Sequence, residues 1–242
     1  MTRRPGIALF DYGAGNLHSL AKALETAGAR VRVEPDPLRA LDADALVLPG
    51  VGAFGAAAAR LAPAADEVRR ALEDGLPCLG VCLGMQLLFE ESDEGAGRGI
   101  GILAGRVRRL RAQRVPHMGW NGVYPTPGPP PGGGGGATPA PPHLPGEGEG
   151  TAGETTGGRE TRGVRWLDPL FADLSDLVAY YANSFIVEPA DPDAVIAWTV
   201  YEEERFPAAV RRARTWGVQF HPEKSGAQGL RLIRNFIAEV GR

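Results

Sequence analysis

The sequence predicts an α/β protein with a mostly parallel, doubly wound sheet that carries helices on both faces. In the first half of the chain, short apolar runs alternate with helical patterns, which is typical of right-handed βαβ units. Three of those runs end in glycine-rich turns, and open α/β sheets bind ligands at the carboxyl ends of their strands. In the second half, apolar runs follow one another without helical patterns. We therefore expect antiparallel strands in the C-terminal half.

The elements of the first half follow from apolar spacing and from turn residues. Strands are predicted at 6–12, 31–33, 45–48 and 77–81, and helices at 17–27 and 60–74. The first helix places Leu20 and Leu24 on one face, and Gly28 follows its predicted end. The last of these strands leads directly to Cys82.

The second half is predicted to consist of five strands and a final helix. The strands are placed at 107–110, 178–185, 195–200, 208–211 and 216–220, and the helix at 227–240. Between them, residues 125–163 are rich in Gly and Pro and almost lack large apolar side chains. Such a segment cannot offset the entropy lost on ordering. We expect a disordered insertion within a single domain that spans residues 1–242.

Composition restricts the classes of function. The chain has 242 residues and a net charge of −3, with both signs interspersed, so neither nucleic acid nor a membrane surface is an expected partner. The N-terminal residues lack the apolar core of a signal peptide. Cys78 and Cys82 are the two cysteines and there are four histidines, which argues against a disulfide framework and a metal site. We expect a cytoplasmic protein without a cofactor.

The most informative motif is Gly80-Val81-Cys82-Leu83-Gly84. It places glycines on either side of a nucleophile, where a predicted strand turns sharply into a helix. The turn forces the central residue into a strained conformation, so the flanking positions must lack a Cβ atom. We expect the following helix to direct its free N–H groups and positive dipole end at the sulfur and so favour the thiolate.

A base follows much later in the chain, at His221, with Glu223 two residues beyond it. A nucleophile, a base and a group that orients the base are the parts of a catalytic triad. Pro222 lies between the two and lacks an N–H group, which is consistent with a strand edge. The backbone N–H of Leu83, the residue after the nucleophile, is the expected first donor to an oxyanion.

Five blocks of sequence resemble the class I glutamine amidotransferases. They are residues 11–17, 48–54, 79–89, 116–121 and 220–225. The first and fourth blocks are similar to the glutaminase subunits of imidazole glycerol phosphate synthase, which serve histidine biosynthesis. The resemblance covers nearly the whole chain outside the insertion. It implies hydrolysis of glutamine to glutamate and ammonia through a thioester on Cys82.

The resemblance also implies roles for single residues. Cys82 would attack the side-chain amide, His221 would transfer the proton and Glu223 would hold the imidazole. The second oxyanion donor would come from the Val51–Gly52 peptide, which we expect to reorient when a partner binds. The residues implied in binding glutamine are Gly50, Gly52, Gln86, Asn183 and Ser184.

The implied partner is a (β/α)₈-barrel cyclase subunit, which forms a heterodimer with the glutaminase and consumes its ammonia. The positions that match the family's interface are Asn16, Met118, Trp120, Asn121, Tyr180 and Lys224. Two features depart from the family. Asn183 stands where the family often has a histidine, and the insertion at 125–163 has no counterpart in the motifs.

Several alternatives remain open on the residues alone. Cys82 is alternatively a buried structural thiol, and Cys78 is expected in the core of its strand. His117 fits a role near the interface and a structural hydrogen bond equally well. The rival functions are a glutaminase that serves another synthase, a scaffold that keeps the fold, and a thiol hydrolase that works without a partner. Binding to a cyclase barrel would separate the first from the predicted function.

Overall fold

A computed structural model describes residues 3–13, 15, 17–126 and 166–242. The predicted insertion falls outside these ranges except for its first two residues. Pro125 pairs with Ala197 at the edge of the main sheet, and the Thr126 hydroxyl donates to the Val195 carbonyl at 2.6 Å. Both residues bond to the neighbouring strand, so residues 125 and 126 belong to the main sheet and not to the insertion predicted from about 125 onward.

Strands and helices alternate in the first half of the chain and strands predominate in the second. The strands are β1 (Gly6–Phe10), β2 (Arg30–Glu34), β3 (Ala45–Leu48), β4 (Cys78–Val81), β5 (Phe89–Ser92), β6 (Leu103–Arg109), β7 (His117–Gly122), β8 (Tyr124–Pro125), β9 (Val178–Asn183), β10 (Phe185–Pro189), β11 (Val195–Tyr201), β12 (Glu204–Arg212) and β13 (Thr215–Val218). The helices are α1 (His18–Thr26), α2 (Pro37–Ala40), α3 (Phe54–Leu61), α4 (Ala65–Glu73), α5 (Leu83–Gln86) and α6 (Gly226–Val240).

The main sheet has eight strands in the order β2-β1-β3-β4-β13-β12-β11-β8. The first five are parallel to one another, and β12, β11 and β8 extend the sheet in antiparallel fashion. This arrangement confirms the predicted fold class. Because β13 lies beside β4, with Val218 opposite Val81, the residues that follow both strands emerge at the same edge of the sheet.

Alternate residues of the central strands belong to two separate hydrophobic cores, one on each face of the main sheet. In β1, Ile7 and Leu9 join the core beneath α1 and α6, whereas Ala8 and Phe10 join the core beneath α3 and α4. All four are buried. A strand covered on both faces reads as a continuous apolar run rather than an alternating one, which is how β1 reads in the sequence.

Two smaller sheets lie beside the main one. One contains β10, β6 and β5, and the other contains β7 and β9 in antiparallel register, with Trp120 opposite Tyr180. The single strand predicted at 178–185 is in fact two strands in different sheets, separated at Ser184. The prediction was wrong there because the apolar pattern continues across the change of sheet.

Other differences concern short elements. The helix predicted at 60–74 is two helices, α3 and α4, joined by a turn of 3-10 helix at Ala62–Ala64. Strands β5 and β7 and the single-turn helix α2 have no counterpart in the prediction. Within the described ranges, no helix is long and apolar enough to cross a membrane.

Candidate active site

The nucleophile lies on a strained turn between β4 and α5. Cys82 has φ 48° and ψ −104°, a region that non-glycine residues rarely adopt and that costs about 1–3 kcal/mol. A Cβ atom on Gly80 would lie 2.5 Å from the Gly84 carbonyl oxygen, and one on Gly84 would lie 2.0 Å from the Leu48 carbonyl oxygen. Both flanking glycines are therefore required by close backbone approach.

The helix after Cys82 is short. Helix α5 comprises four residues, Leu83 to Gln86, so few peptide dipoles add along its axis and the predicted dipole effect on the sulfur is small. The expectation that the free N–H groups of this helix favour the thiolate stays a prediction. Leu83 is the first residue of α5, so its N–H has no acceptor within the helix.

His221 and Glu223 lie just beyond β13 and are held in contact. The His221 Nδ1 atom lies 2.9 Å from a Glu223 carboxylate oxygen, and the side chains are 6% and 7% exposed. Residues Pro222–Lys224 form a turn of 3-10 helix. Pro222 is therefore not at a strand edge as expected; the tight turn, rather than a pleat, brings the two side chains together.

The charged form of His221 is stabilised by its neighbours. Burial by itself lowers the pKa of this imidazole, but hydrogen bonds with Cys82 and Glu223, together with their charges, outweigh burial and raise the pKa to about 9. Since Nδ1 faces Glu223, Nε2 is the ring nitrogen that remains to exchange a proton with Cys82. The arrangement places a base that readily takes up a proton beside the thiol that must lose one, as a cysteine–histidine pair requires.

The glycine-rich turn after β3 closes over this pair. A Cβ atom on Gly50 would lie 2.9 Å from the Cys82 Cβ and 2.9 Å from the His221 Cε1. Gly52 has φ 102°, which only glycine adopts readily. Val51 lies against Gly15, where an added Cβ would meet it at 2.5 Å. The predicted oxyanion turn is thus adjacent to the nucleophile.

The residues expected to bind glutamine lie on two sides of the site. Gln86 is buried, and its side-chain N–H₂ group donates to the Phe185 carbonyl at 3.1 Å. Asn183 is also buried and donates to the same carbonyl at 3.1 Å. Its side-chain oxygen has no partner among the described residues. Ser184 is half-buried at the junction of β9 and β10.

A buried polar residue at this site was missed in the sequence. Gln219 is fully buried, and its side-chain nitrogen lies 3.5 Å from the Cys82 sulfur. The feature of the sequence that could have identified it is a polar residue within the apolar run of a predicted strand, two residues before His221. Cys78, by contrast, lies in the strand core as expected, where burial raises the pKa of its thiol.

An exposed patch of large side chains lies on the two-stranded sheet next to the site. Met118 and Trp120 are 65% and 59% exposed, and the Trp120 ring contacts Tyr180 edge-on at 6.0 Å. The Lys224 ammonium lies 5.6 Å from the centre of the Tyr180 ring. We call these four residues the aromatic patch. Exposed apolar groups that adjoin one another in this way indicate a binding surface.

Three other residues considered for the partner interface do not belong to the aromatic patch as the structure describes it. The Asn121 side chain is turned inward and donates to the Val200 carbonyl at 2.6 Å. His117 is buried and stacked against Tyr181 and Tyr201, so it is a core residue and not part of the aromatic patch. Asn16 lies outside the described residues.

Comparison with known proteins gives a consistent family. The family Glutamine amidotransferase class-I matches residues 8–240. The imidazole glycerol phosphate synthase subunit HisH of Thermosynechococcus vestitus is 40% identical over 98% of this chain and 98% of its own length. The HisH subunit of Halobacterium salinarum is 38% identical over 97% of this chain and 94% of its own.

Solved structures resemble the fold at low sequence identity. A glutamine amidotransferase crystal structure superposes with a TM-score of 0.63 at 17% identity, over 98% of this chain and all of its own. A chain of the PurLQS structure from Thermotoga maritima gives a TM-score of 0.62 at 16% identity, over 98% of this chain and 99% of its own.

Proposed function

This chain belongs to the class I glutamine amidotransferases; it is the glutaminase subunit of an imidazole glycerol phosphate synthase, an enzyme of histidine biosynthesis, and we propose that Cys82, His221 and Glu223 carry its reaction. The observation that supports this proposal most directly is the contact of one imidazole with both other groups. The His221 Nδ1 lies 2.9 Å from a Glu223 oxygen, and the His221 ring lies beside Cys82, since a Cβ atom added to Gly50 would be 2.9 Å from both the Cys82 Cβ and the His221 Cε1.

The first half of the reaction is an acyl transfer to sulfur. His221 holds the proton of the Cys82 thiol, and the thiolate attacks the side-chain carbonyl carbon of glutamine. A carbon–sulfur bond forms as the carbonyl π electrons move to oxygen. When the tetrahedral intermediate collapses, the imidazolium gives its proton to the departing nitrogen. Ammonia leaves and a glutamyl thioester remains on Cys82.

The second half releases glutamate. His221, now neutral, takes a proton from water, which attacks the thioester carbonyl. The carbon–sulfur bond breaks and the thiolate re-forms beside the imidazolium. Glu223 keeps the imidazole oriented, with Nδ1 toward the carboxylate and Nε2 toward the sulfur, through both steps.

The oxyanion is stabilised by backbone donors on either side of Cys82. The Leu83 N–H is the first, because it has no acceptor within α5. The Val51–Gly52 peptide is the second, and the positive φ of Gly52, at 102°, lets this peptide adopt a second orientation. We propose that binding of the partner selects the orientation that donates to the oxyanion.

Glutamine is held by polar groups around the nucleophile. Gly50 and Gly52 allow the substrate to approach the backbone closely, and Gln86, Asn183 and Ser184 supply side-chain contacts. Asn183 has a buried side-chain oxygen without a partner among the described residues, which makes it an acceptor for the substrate's ammonium group. Because Asn is uncharged, it contributes through hydrogen bonding alone.

The partner is a (β/α)₈-barrel cyclase subunit, and we assign its docking surface to the aromatic patch, with Asn121 on the same strand; Asn16 is assigned to the interface from the sequence resemblance alone. Aromatic and Met side chains are enriched at the cores of interfaces. The patch is bonded to the triad segment: the His221 N–H donates to the Tyr180 carbonyl at 2.8 Å. Ser225 makes a second link, since its hydroxyl accepts from the Tyr180 N–H and donates to the His221 carbonyl. A displacement of Tyr180 on partner binding would therefore shift the backbone of His221 through these hydrogen bonds.

Release of glutamate from glutamine tests the function. The chain is assayed alone, with a cyclase subunit, and with the cyclase and its ribonucleotide ligand. Strong stimulation in the full mixture is the expected result. Equal activity of the chain alone would contradict the proposal and favour a thiol hydrolase.

A matched variant tests the nucleophile. Cys82→Ala should abolish glutamate release and leave binding of the cyclase intact, whereas Cys78→Ala should retain activity. Stimulated activity in Cys82→Ala would refute the assignment. Both cysteines are free, and a working thiol suits the reducing cytoplasm, where we place the enzyme.

A further inference from the structure

Gln219 is a buried amide that faces the reacting sulfur. It follows β13 directly, and its backbone N–H donates to the Ala208 carbonyl at 2.9 Å. Its side chain is fully buried, with Nε2 at 3.5 Å from the Cys82 sulfur. Sulfur is a large acceptor, so this separation is within the range of an N–H···S hydrogen bond. No role for this residue follows from the triad.

The orientation of this amide is determined by its neighbours. The Gln86 side chain donates its N–H₂ group to the Phe185 carbonyl at 3.1 Å, and a carbonyl only accepts. The same nitrogen of Gln86 faces Gln219 at 3.5 Å. The Gln219 atom on that side must therefore be the oxygen. The side-chain nitrogen is the other end of the same amide, and it therefore faces the Cys82 sulfur.

We propose that Gln219 stabilises the thiolate of Cys82 by donating its side-chain N–H to the sulfur, and that Gln86 is the positioning residue that keeps this amide in the donating orientation. The inference rests on the proposed function and adds a residue to its site. A hydrogen bond to a charged acceptor is about twice as strong as a neutral one. Burial strengthens it further, since the surrounding dielectric constant is low.

Helix α5 is too short to stabilise the thiolate strongly by itself. Four residues of helix provide little dipole at Cys82, and the Leu83 N–H is needed for the oxyanion rather than for the sulfur. Gln219 donates to the sulfur, and His221 is a separate residue beside Cys82. His221 moves a proton during the reaction, whereas the amide of Gln219 donates throughout and exchanges none. The two residues are therefore distinguishable by experiment.

The test is alkylation of Cys82 by iodoacetamide, followed by mass spectrometry of the peptide that contains it, across a series of pH values. The variants are Gln219→Leu and Gln219→Met, which both remove the donor without adding a charge; Met also keeps the length of the side chain. Gln113→Leu, at an exposed position, is the matched control, and Cys82→Ser provides the blank. All are made in the full chain.

Both Gln219 variants should alkylate about tenfold more slowly near neutral pH, with the midpoint of the pH profile about one unit higher. The control should follow the wild type. With cyclase and ligand present, the Gln219 variants should lower kcat with little change in KM. If Gln219→Leu does not fold, the uncharged Gln219→Met variant, of similar length to glutamine, carries the test.

An unchanged alkylation profile in a folded variant would overturn the proposal and leave Gln219 as a residue that fills space. Alkylation needs neither glutamine nor a partner. A chain that fails as a partner-stimulated glutaminase would therefore refute the proposed function without affecting this measurement. A shifted profile in the Gln219 variants, with the control unshifted, supports the thiolate role in either case.

Discussion

Acid should destabilise this protein through one buried histidine. His117 is 2% exposed, and its ring lies 3.9 Å from the Tyr201 ring and 4.9 Å from the Tyr181 ring, centre to centre. Its Nδ1 atom has no hydrogen-bond partner among the described residues. Burial lowers the pKa of His117 from an ordinary 6.5 to about 4. The folded state therefore holds the neutral ring where the unfolded chain would bind a proton.

The sign and size of the effect follow from this difference. Because the folded pKa is the lower one, the stabilising contribution is present above about pH 6.5 and is lost as the pH falls toward 4. Each unit is worth about 1.4 kcal/mol, so the limiting loss is about 3 kcal/mol. Between pH 7 and pH 5, a single site of this kind loses about 2 kcal/mol of unfolding free energy.

Urea unfolding of the wild type and of His117→Phe, at several pH values from 7 to 5, measures this contribution. Phenylalanine keeps a flat ring between the two tyrosines and cannot take a proton. The carboxylates titrate equally in both proteins, so the difference between the two curves isolates His117. The wild type should lose about 2 kcal/mol more than the variant. Curves that remain parallel over this range would refute the reasoning.

Three further predictions concern packing, a buried network and catalysis. Gly84→Ala places a Cβ atom 2.0 Å from a carbonyl oxygen of β3 and should cost about 3 kcal/mol or more in calorimetry; Gly241→Ala, with its nearest atom at 3.6 Å, is the control, and equal melting temperatures would contradict the prediction. Asp168→Ala removes the acceptor of the Trp216 indole N–H at 3.1 Å and should cost about 2–4 kcal/mol in urea unfolding; a loss below about 0.5 kcal/mol would show that this network contributes little. Glu223→Gln should lower stimulated kcat by about 10²- to 10⁴-fold, and a variant that keeps wild-type kcat would exclude Glu223 from the triad.

Much of the fold could be predicted because its signals are local. The apolar runs of β1, β3 and β4 are continuous since each strand is covered on both faces. The turn at Cys82 needs glycine at positions 80 and 84, and both glycines are visible in a motif of five consecutive residues. His221 and Glu223 are two residues apart, so one short motif contains their contact.

Strand β7 shows why other elements could not be predicted. Its buried positions include His117, whereas the large apolar side chains Met118 and Trp120 point outward. This pattern is the reverse of an ordinary strand, in which the apolar residues face the core. The outward face is the aromatic patch, so the requirement of a binding surface overrides the pattern from which strands are recognised.

The alternation of strands and helices, the strained nucleophile turn and the pairing of His221 with Glu223 can be predicted from the sequence, because each depends on neighbours along the chain. The contact of Gln219 with Cys82, 137 residues away, and the bond between Tyr180 and the His221 backbone arise from the packing of distant segments. Those contacts depend on β13 entering the sheet beside β4 and on the position of β9 next to the turn after β13. Sheet order and register are properties of the packed chain, and no local spacing of residues specifies them.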